Sequence, residues 1–483
     1  MSTGGAQAFK VLLQILSVVV LSRLLPPSEF GLMGMISPLV GFVMLFGDLG
    51  LTQAVVTARV INDRQLSTIF WVNGAFAAVL ATILGCTAPL IAHFYGEPRL
   101  VAPIQVLAAM IMLSALGVQH QALITRAMRF SRLAVIEVVA AALGFVAAVV
   151  IGAIWHSVWA LVASAVVTTV CTLAGVWSGS TWRPHRHFNL GEVSSLLHFG
   201  KGMLGFNLTN FLSRNLDNVL IGRYVGAVQL GYYDRGYKLL LFPLTQINNP
   251  VGRVVVPILS RLVDQPDRYR SMYLRTLQQL LLFTLPGIVF MLTNANAAIP
   301  VVLGERWTPS VPIFLWLGLA ALHQPISATT GWLFISQSRT TEFGYWGLVV
   351  ATTSIAAFVA GLPWGAVGVA AAYALSDLLI RAPIVWYWVG RSGPVRTSDL
   401  MKLAWPNVVA NAVMAATQLA MRDMRLTTLP LVDLVVRLLL AFAVCWGVLC
   451  VFRQGRSALV DLKDTIRRVV APRTASPVLR PSD

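Results

Sequence analysis

Charge is what this chain has least of. Of 483 residues only 11% are Asp, Glu, Lys or Arg, against roughly 25% in a soluble globular chain. So few charges cannot keep the surface of a protein this size in water. A hydrophobic content of 57% and a mean hydropathy of +0.74 point to lipid as its solvent. Cysteine is also scarce. Cys86, Cys171, Cys445 and Cys450 all lie inside apolar runs and no C-x-x-C spacing occurs, which argues against a disulfide framework or thiolate metal site and predicts buried thiols.

Several motifs are absent. There is no Gly-x-x-x-x-Gly-Lys-Ser/Thr loop, and the nearest string, Gly200-Lys201-Gly202, lacks the upstream Gly. His-Glu-x-x-His, Gly-x-Ser-x-Gly and Asp-x-Asp are missing as well. These gaps argue against ATP hydrolysis by a phosphate loop, against zinc-protease and serine-hydrolase chemistry, and against a metal-held sugar nucleotide. No cofactor or metal is implied, and the chain does not read as an enzyme. His185 and His187, in a basic loop, read as surface residues.

Acidic residues number 19 against 36 Lys and Arg, a net charge of +17. Such a balance can mark a nucleic-acid binder. Here most basic residues fall in short gaps between apolar runs, so the charge reads as membrane topology and no nucleic-acid partner is implied.

What is present is a series of runs of about 20 mostly apolar residues, each long enough to span a bilayer. They lie near 6–25, 31–56, 67–92, 101–123, 134–154, 157–178, 199–222, 236–260, 272–293, 311–335, 343–361, 365–390, 402–421 and 431–452. That is about fourteen helices; barrel strands would be about half as long and alternate in polarity. The first run has no cleavage pattern after it and reads as a span, not a signal peptide. With the N-terminus in the cytoplasm, inside loops carry roughly twice the Lys and Arg of outside loops. The basic tail after Phe452 and the even span number put both termini inside. No loop exceeds about 20 residues, which leaves no room for a catalytic domain.

The chain also repeats itself. The stretch Leu21 to Leu32 (LSRLLPPSEFGL) aligns without gaps on Ile221 to Tyr232 (IGRYVGAVQLGY), two hundred positions later. Arg23 meets Arg223, and Gly31 meets Gly231. Further back, Gly5 pairs with Gly205, Leu12 with Leu212 and Leu16 with Leu216. Trp155 to Leu161 is echoed by Trp364 to Ala370, each opening the sixth span of its half. Six spans followed by six related, equally oriented spans form a parallel repeat, whose halves are related by an axis along the membrane normal. The expected organisation is an N-lobe over 1–178, a cytoplasmic linker over 179–198, a C-lobe over 199–390, a helix pair over 391–453 and a basic tail over 454–483.

The repeat exposes a polar stripe. At about 100° per residue, Asn207, Asn210, Arg214, Asp217 and Asn218 fall on one face of the seventh span. Gln7, Lys10, Gln14 and Ser17 occupy equivalent positions of the first. Intramembrane polar groups cost several kcal/mol unless they face water or a partner. Two related stripes therefore point to two walls of a central aqueous cavity, made positive by Lys10 and Arg214 and suited to a diphosphate. Two other readings stay open: an Arg214–Asp217 ion pair within the helix, and a Lys10 that reaches to the membrane surface. Arg253, in the proline-broken eighth span, is a further candidate lining residue. Asp48 and Asp217 are candidates to couple transport to H⁺ or Na⁺. Glu137 reads as interfacial. Asp234 with Lys238, Asp377 with Arg381, and Asp433 with Arg437 read as local i,i+4 pairs.

Ser22-Arg23-Leu24-Leu25-Pro26-Pro27-Ser28-Glu29-Phe30-Gly31 resembles the turn after the first helix of Wzx-type polysaccharide transporters, which are flippases of the multidrug/oligosaccharidyl-lipid/polysaccharide (MOP) superfamily. Asp217 to Arg223 and Gly231-Tyr232-Tyr233 resemble the stretch that opens their second half. Val158 to Val162 and Gly365 to Tyr373 are similar to their sixth and twelfth helices. The likeness covers roughly 5–390, and the last two spans fit the fourteen-helix variants. Gln229 replaces Glu29, and Gly226-Ala227 the proline pair, in the second copy. The resemblance implies an all-α integral membrane protein with two six-helix lobes around a central cavity. It implies an inner-membrane flippase that carries polyprenyl-diphosphate-linked oligosaccharide, the unit of an exopolysaccharide, capsule or lipopolysaccharide O-antigen, by ion-coupled alternating access. Partners so implied are the lipid-linked substrate, a coupling ion, membrane lipids and the polymerase and export machinery. A drug or cation antiporter of the same superfamily is the nearest alternative. A membrane polymerase or ligase is another, though it lacks the periplasmic loop such enzymes need.

Overall fold

The computed structural model describes residues 3–47, 55, 61–187, 189, 211, 215–424 and 426–470. Among these there are helices and turns and no strand. In chain order the helices are α1 (Thr3–Leu24), α2 (Pro27–Gly47), α3 (Asp63–Tyr95), α4 (Val101–Arg126), α5 (Phe130–Trp155) and α6 (Trp159–Gly179). After a helical stretch at 215–224 come α7 (Ala227–Arg261), α8 (Pro266–Thr293), the short α9 (Ala295–Leu303), α10 (Val311–Ala321) and α11 (Gln324–Ser336). The chain ends with α12 (Thr340–Gly361), α13 (Gly365–Ser376), α14 (Ala382–Arg391), α15 (Thr397–Ala420), α16 (Pro430–Leu449) and α17 (Arg453–Val470).

Among the described residues, nine helical stretches are long and apolar enough to cross a membrane. They are ten if α10 and α11, bent by 45° at their junction, form one broken span. The run broken by Pro243, Pro250 and Pro257 is one helix of 35 residues, because a membrane helix bends around proline more readily than it exposes backbone to lipid. The run near 365–390 instead carries a π-helical turn at Asp377–Arg381, just before Pro383 removes a backbone donor. Of the four thiols only Cys445 is buried; Cys86 and Cys450 are exposed and Cys171 is half-buried, all as free cysteines. The expectation of buried thiols holds for Cys445 and not for Cys86 or Cys450, because in lipid apolar residues gain nothing by turning inward.

The helices form two compact groups. The first comprises residues 1–238, 299–317 and 344–377. Its organising feature is a reciprocal crossing of helix N-termini. A Cβ on Gly31 would overlap the carbonyl of Ala227, and a Cβ on Gly231 would overlap the carbonyl of Pro27. Gly31 and Gly231, and likewise Pro27 and Ala227, are two hundred positions apart in sequence, so the contact is self-complementary, as a two-fold relation requires. Glycine at each crossing lets the backbones touch, as small residues do between membrane helices. Pro27 opens α2 at a position where its missing N–H costs nothing. Glu29, in the same turn, accepts hydrogen bonds from the Val158 N–H at 2.7 Å and from Arg99 at 3.1 Å. The buried Trp307 donates from Nε1 to the Ser22 carbonyl at 2.8 Å and meets Phe30 edge-on at 5.4 Å. Arg23 donates to the Val301 carbonyl at 2.5 Å.

The second group comprises residues 239–298, 318–343 and 378–483. Here α8, α15 and α16 pack around Leu282, Ala410, Met414, Ala441 and Cys445. Buried amides pair across the helices: Asn407 donates to Gln278 at 3.1 Å, and Asn294 to Gln418 at 3.3 Å. Arg437 is bound by Asp433 at 2.6 Å and by the carbonyls of Met421 and Met424. Asp399, in the first turn of α15, accepts from the Arg396 N–H at 2.9 Å and pairs with Arg270. Its burial opposes ionisation, but those hydrogen bonds and the Arg270 and Lys402 charges outweigh it, so the carboxyl titrates below the usual carboxylate range.

Two predictions follow from these contacts. Gly31→Ala and Gly231→Ala should each destabilise the detergent-solubilised protein, on the order of 1–3 kcal/mol by overpacking. Gly447→Ala, where a Cβ meets nothing within 4 Å, should leave the melting temperature unchanged or higher; equal effects at all three positions would remove the crossing from its central place. Because folding depresses the Asp399 pKa, its contribution is present above its unfolded value, near pH 4, and is lost as pH falls through the lower folded value. Melting curves between about pH 3 and pH 6 should therefore flatten on their acid side in Asp399→Asn; an unchanged slope would assign the acid limb to other groups.

Candidate substrate and ion-coupling site

The first-span stripe lies on α1, a helix with two exposed faces. Gln7 and Gln14 are exposed, Lys10 and Ser17 half-buried. Phe9, Leu12, Ile15 and Leu16 are also exposed, between 42% and 61%. At about 100° per residue the polar set centres roughly opposite the apolar set. One side of α1 thus fits lipid, and the other fits water or polar partners.

Lys10 does not stand alone. Its Nζ lies 2.8 Å from a carboxylate oxygen of Glu137 on α5, both side chains about two-fifths exposed. Sequence reasoning placed Glu137 at the interface and did not pair it with Lys10. They are 127 positions apart, and no periodicity connects residues on separate helices. A cation balanced in this way is held extended on the polar face of α1 without a net charge.

On the seventh-span stripe, Asn207, Asn210 and Arg214 lie outside the described residues, as does Asp48. Asp217 is described and buried, at 5% exposure. One carboxylate oxygen accepts from the Tyr233 hydroxyl at 2.9 Å, the other from the Asn218 N–H at 2.8 Å. Tyr233 stacks on Tyr237 with the rings 6.2 Å apart. The neighbouring Asp234 is also buried and pairs with Lys238 at 2.9 Å. This pair and Asp433–Arg437 are the local ion pairs expected from spacing. Arg235 lays its guanidinium over the Phe30 ring at 3.7 Å, a cation–π contact within the crossing of α2 and α7. The structure thus joins Asp217, Tyr233, Asp234 and Lys238 around the first turns of α7. Tyr233 was legible only as part of Gly231-Tyr232-Tyr233, because a hydroxyl donor to a carboxylate leaves no mark in an apolar pattern. Arg253 is exposed on α7, among the residues of the second group.

Such an architecture, all helical among the described residues with many apolar spans, defines a multi-span membrane protein. Its fold is similar to that of "Lipid II flippase MurJ, inward closed conformation", with a TM-score of 0.74 at 13% identity, covering 96% of this chain and 99% of that one. It is also similar to a multidrug resistance MATE family transporter of the MOP superfamily in an inward-facing conformation, with a TM-score of 0.64 at 14% identity over 81% of this chain and 95% of that one. The chain belongs to the polysaccharide biosynthesis protein family (Polysacc_synt_3), which matches residues 20–312.

Among relatives, the teichuronic acid biosynthesis protein TuaB of Bacillus subtilis is 28% identical over 63% of this chain and 64% of its own length. The lipopolysaccharide biosynthesis protein WzxC of Escherichia coli is 24% identical over 68% of this chain and 67% of its own. The succinoglycan biosynthesis transport protein ExoT of Rhizobium meliloti is 27% identical over 72% and 70%. The match to TuaB thus spans somewhat less than two thirds of that protein.

The two-faced surface of α1 makes a direct prediction. In a background with the four native cysteines replaced, single cysteines at 7, 10, 14 and 17 should react with a membrane-impermeant maleimide in vesicles open on both sides. Cysteines at 9, 12 and 16 should be shielded by lipid. Equal labelling of both sets would remove the aqueous face.

Proposed function

We propose that this protein is a flippase for polyprenyl-diphosphate-linked oligosaccharide and moves the repeat unit of an exopolysaccharide, capsule or lipopolysaccharide O-antigen across the bacterial inner membrane. The observation that carries the reading is a polar, cation-bearing face on α1 in a chain of the polysaccharide biosynthesis family with the fold of a lipid flippase. In the proposed arrangement two lobes of six helices, residues 1–178 and 199–390, enclose a cavity lined by Gln7, Lys10, Gln14, Ser17, Asn207, Asn210, Arg214, Asp217 and Arg253. Both termini lie in the cytoplasm.

The chemistry fits an anionic cargo. A diphosphate can take Lys10 from Glu137 because it carries more charge than one carboxylate. Arg214 would hold phosphate oxygens in a bidentate fork. A chain without a phosphate loop needs another energy source, and an H⁺ or Na⁺ gradient is the one proposed. Asp217 and Asp48 are the coupling candidates, since intramembrane carboxylates change protonation or ligand state at low cost only when a cation replaces their donors. The first stripe carries one cation, Lys10, and no carboxylate, which disfavours a cation or drug antiporter.

Deleting the gene should cause lipid-linked oligosaccharide to accumulate in the cytoplasmic leaflet. Lys10→Ala and Arg214→Ala, present at normal membrane levels, should fail to restore export, whereas Lys10→Arg should restore most of it. If no intermediate accumulates and overproduction confers resistance to cationic dyes, the protein is an exporter of cations instead.

A further inference from the structure

We propose that the groove between the start of α15 and the start of α17 binds one anionic phospholipid of the surrounding bilayer, with its phosphate on Lys402 and Arg453 and an acyl chain along Trp405 and Phe452.

The groove has a volume of about 770 Å³, within the range of ligand pockets. Its walls are apolar: Trp386, Met401, Trp405, Val408 and Phe452 line it. Three of them lie open along one side of α15, with Met401 at 50%, Trp405 at 64% and Val408 at 53% exposure. An exposed indole at the end of a span is the side chain that settles at the headgroup boundary.

The polar rim has one sign. Lys402, Arg453 and Gln454 complete the lining. Neighbouring cations are already neutralised: Arg270 pairs with Asp399 and Arg275 with Asp461. Lys402, one turn beyond Asp399, lowers that carboxyl's pKa by its charge, yet among the described residues neither it nor Arg453 forms a salt bridge within 4 Å. Two cations outside any salt bridge among the described residues, at the mouth of an apolar groove, match an amphiphile with an anionic head. A soluble anion would have no use for the aromatic wall. A smaller cavity of about 520 Å³ adjoins, sharing Lys402 and Gln454, but Asp399 and Asp461 line it and repel a phosphate. The head therefore sits on the Lys402–Arg453 side.

The lie of α17 agrees. Gly455 approaches the Leu449 carbonyl so closely that a Cβ would overlap it, which makes the turn from α16 into α17 a tight one. Ala458 is buried, and Leu459 and Leu462 pack against the core of the second group. Arg453 and Arg456 remain exposed. A basic amphipathic helix held at the end of a bundle lies in the interface plane, and basic pockets beside membrane helices are suited to anionic headgroups.

The test uses the full-length protein, purified in detergent, delipidated, and titrated with phosphatidylglycerol or phosphatidylcholine under native mass spectrometry. One equivalent of phosphatidylglycerol should be held about twenty-fivefold more tightly than phosphatidylcholine, about fivefold for each cation. Lys402→Gln with Arg453→Gln should abolish that preference, while Arg422→Gln, at the other end of α15, should retain it. Trp405→Ala should weaken both lipids. If the double variant is not monodisperse, Arg453→Gln alone, at an exposed site, should lower the preference by about fivefold. Equal affinity for the two lipids, or unchanged preference in the charge variants, overturns the proposal. So does displacement by millimolar inorganic phosphate, which would make this a plain anion site. Displacement by polyprenyl diphosphate at lower concentration than phosphatidylglycerol would give the groove to the transported lipid instead.

Discussion

The crossing of α2 and α7 at Gly31 and Gly231 constrains everything near it. Two backbones touch there because neither residue carries a Cβ. The approach fixes where Pro27 and Ala227 start their helices, and so where the turn before each must lie. Glu29 can then gather the Val158 N–H and Arg99, and Trp307 can reach the Ser22 carbonyl. Asp217 and Tyr233 sit on either side of the second copy of that turn, and Tyr233 lies two residues past Gly231. Pushing the backbones apart would disturb these contacts together.

A second constraint is the cost of charge in an apolar solvent. Asp217, Asp234, Asp433 and Lys10 each have a named partner. Such pairing adds little net stability, because desolvation cancels much of the attraction, but losing one partner is expensive. That asymmetry gives the charged groups their structural meaning. Where a cation stands without a carboxylate, as at the start of α17, the surroundings have to supply the anion.

Much of the fold was legible in the sequence because lipid writes a strong signal: long apolar runs set the helices near 67–92, 101–123 and 134–154 within a few residues. The repeat was legible because Gly31 and Gly231 each need to be glycine for the same contact. Other features were not. The proline-rich run through Pro243 and Pro257 reads as broken by local rules, yet tertiary context keeps it one helix. The helical character of α17 was missed, since its low hydropathy reads as tail unless Ala458, Leu459 and Leu462 are placed on one face. In the candidate site, the stripe on α1 was visible as a period, but its Glu137 partner was not, nor was Tyr233 as the donor to Asp217. Contacts between distant helices depend on rotation about each axis, which one sequence does not encode visibly.

The unequal attachment of α1 has a mechanical consequence. Its C-terminal end is clamped: Leu21, Ser22 and Leu25 are buried, and Arg23 is tied to the Val301 carbonyl. Its N-terminal half buries Ala6 and carries the half-exposed Lys10–Glu137 pair, a polar tie to α5. A rod fixed at one end pivots about that end. Any swing of its N-terminal half about that base has to exchange the Lys10–Glu137 ion pair.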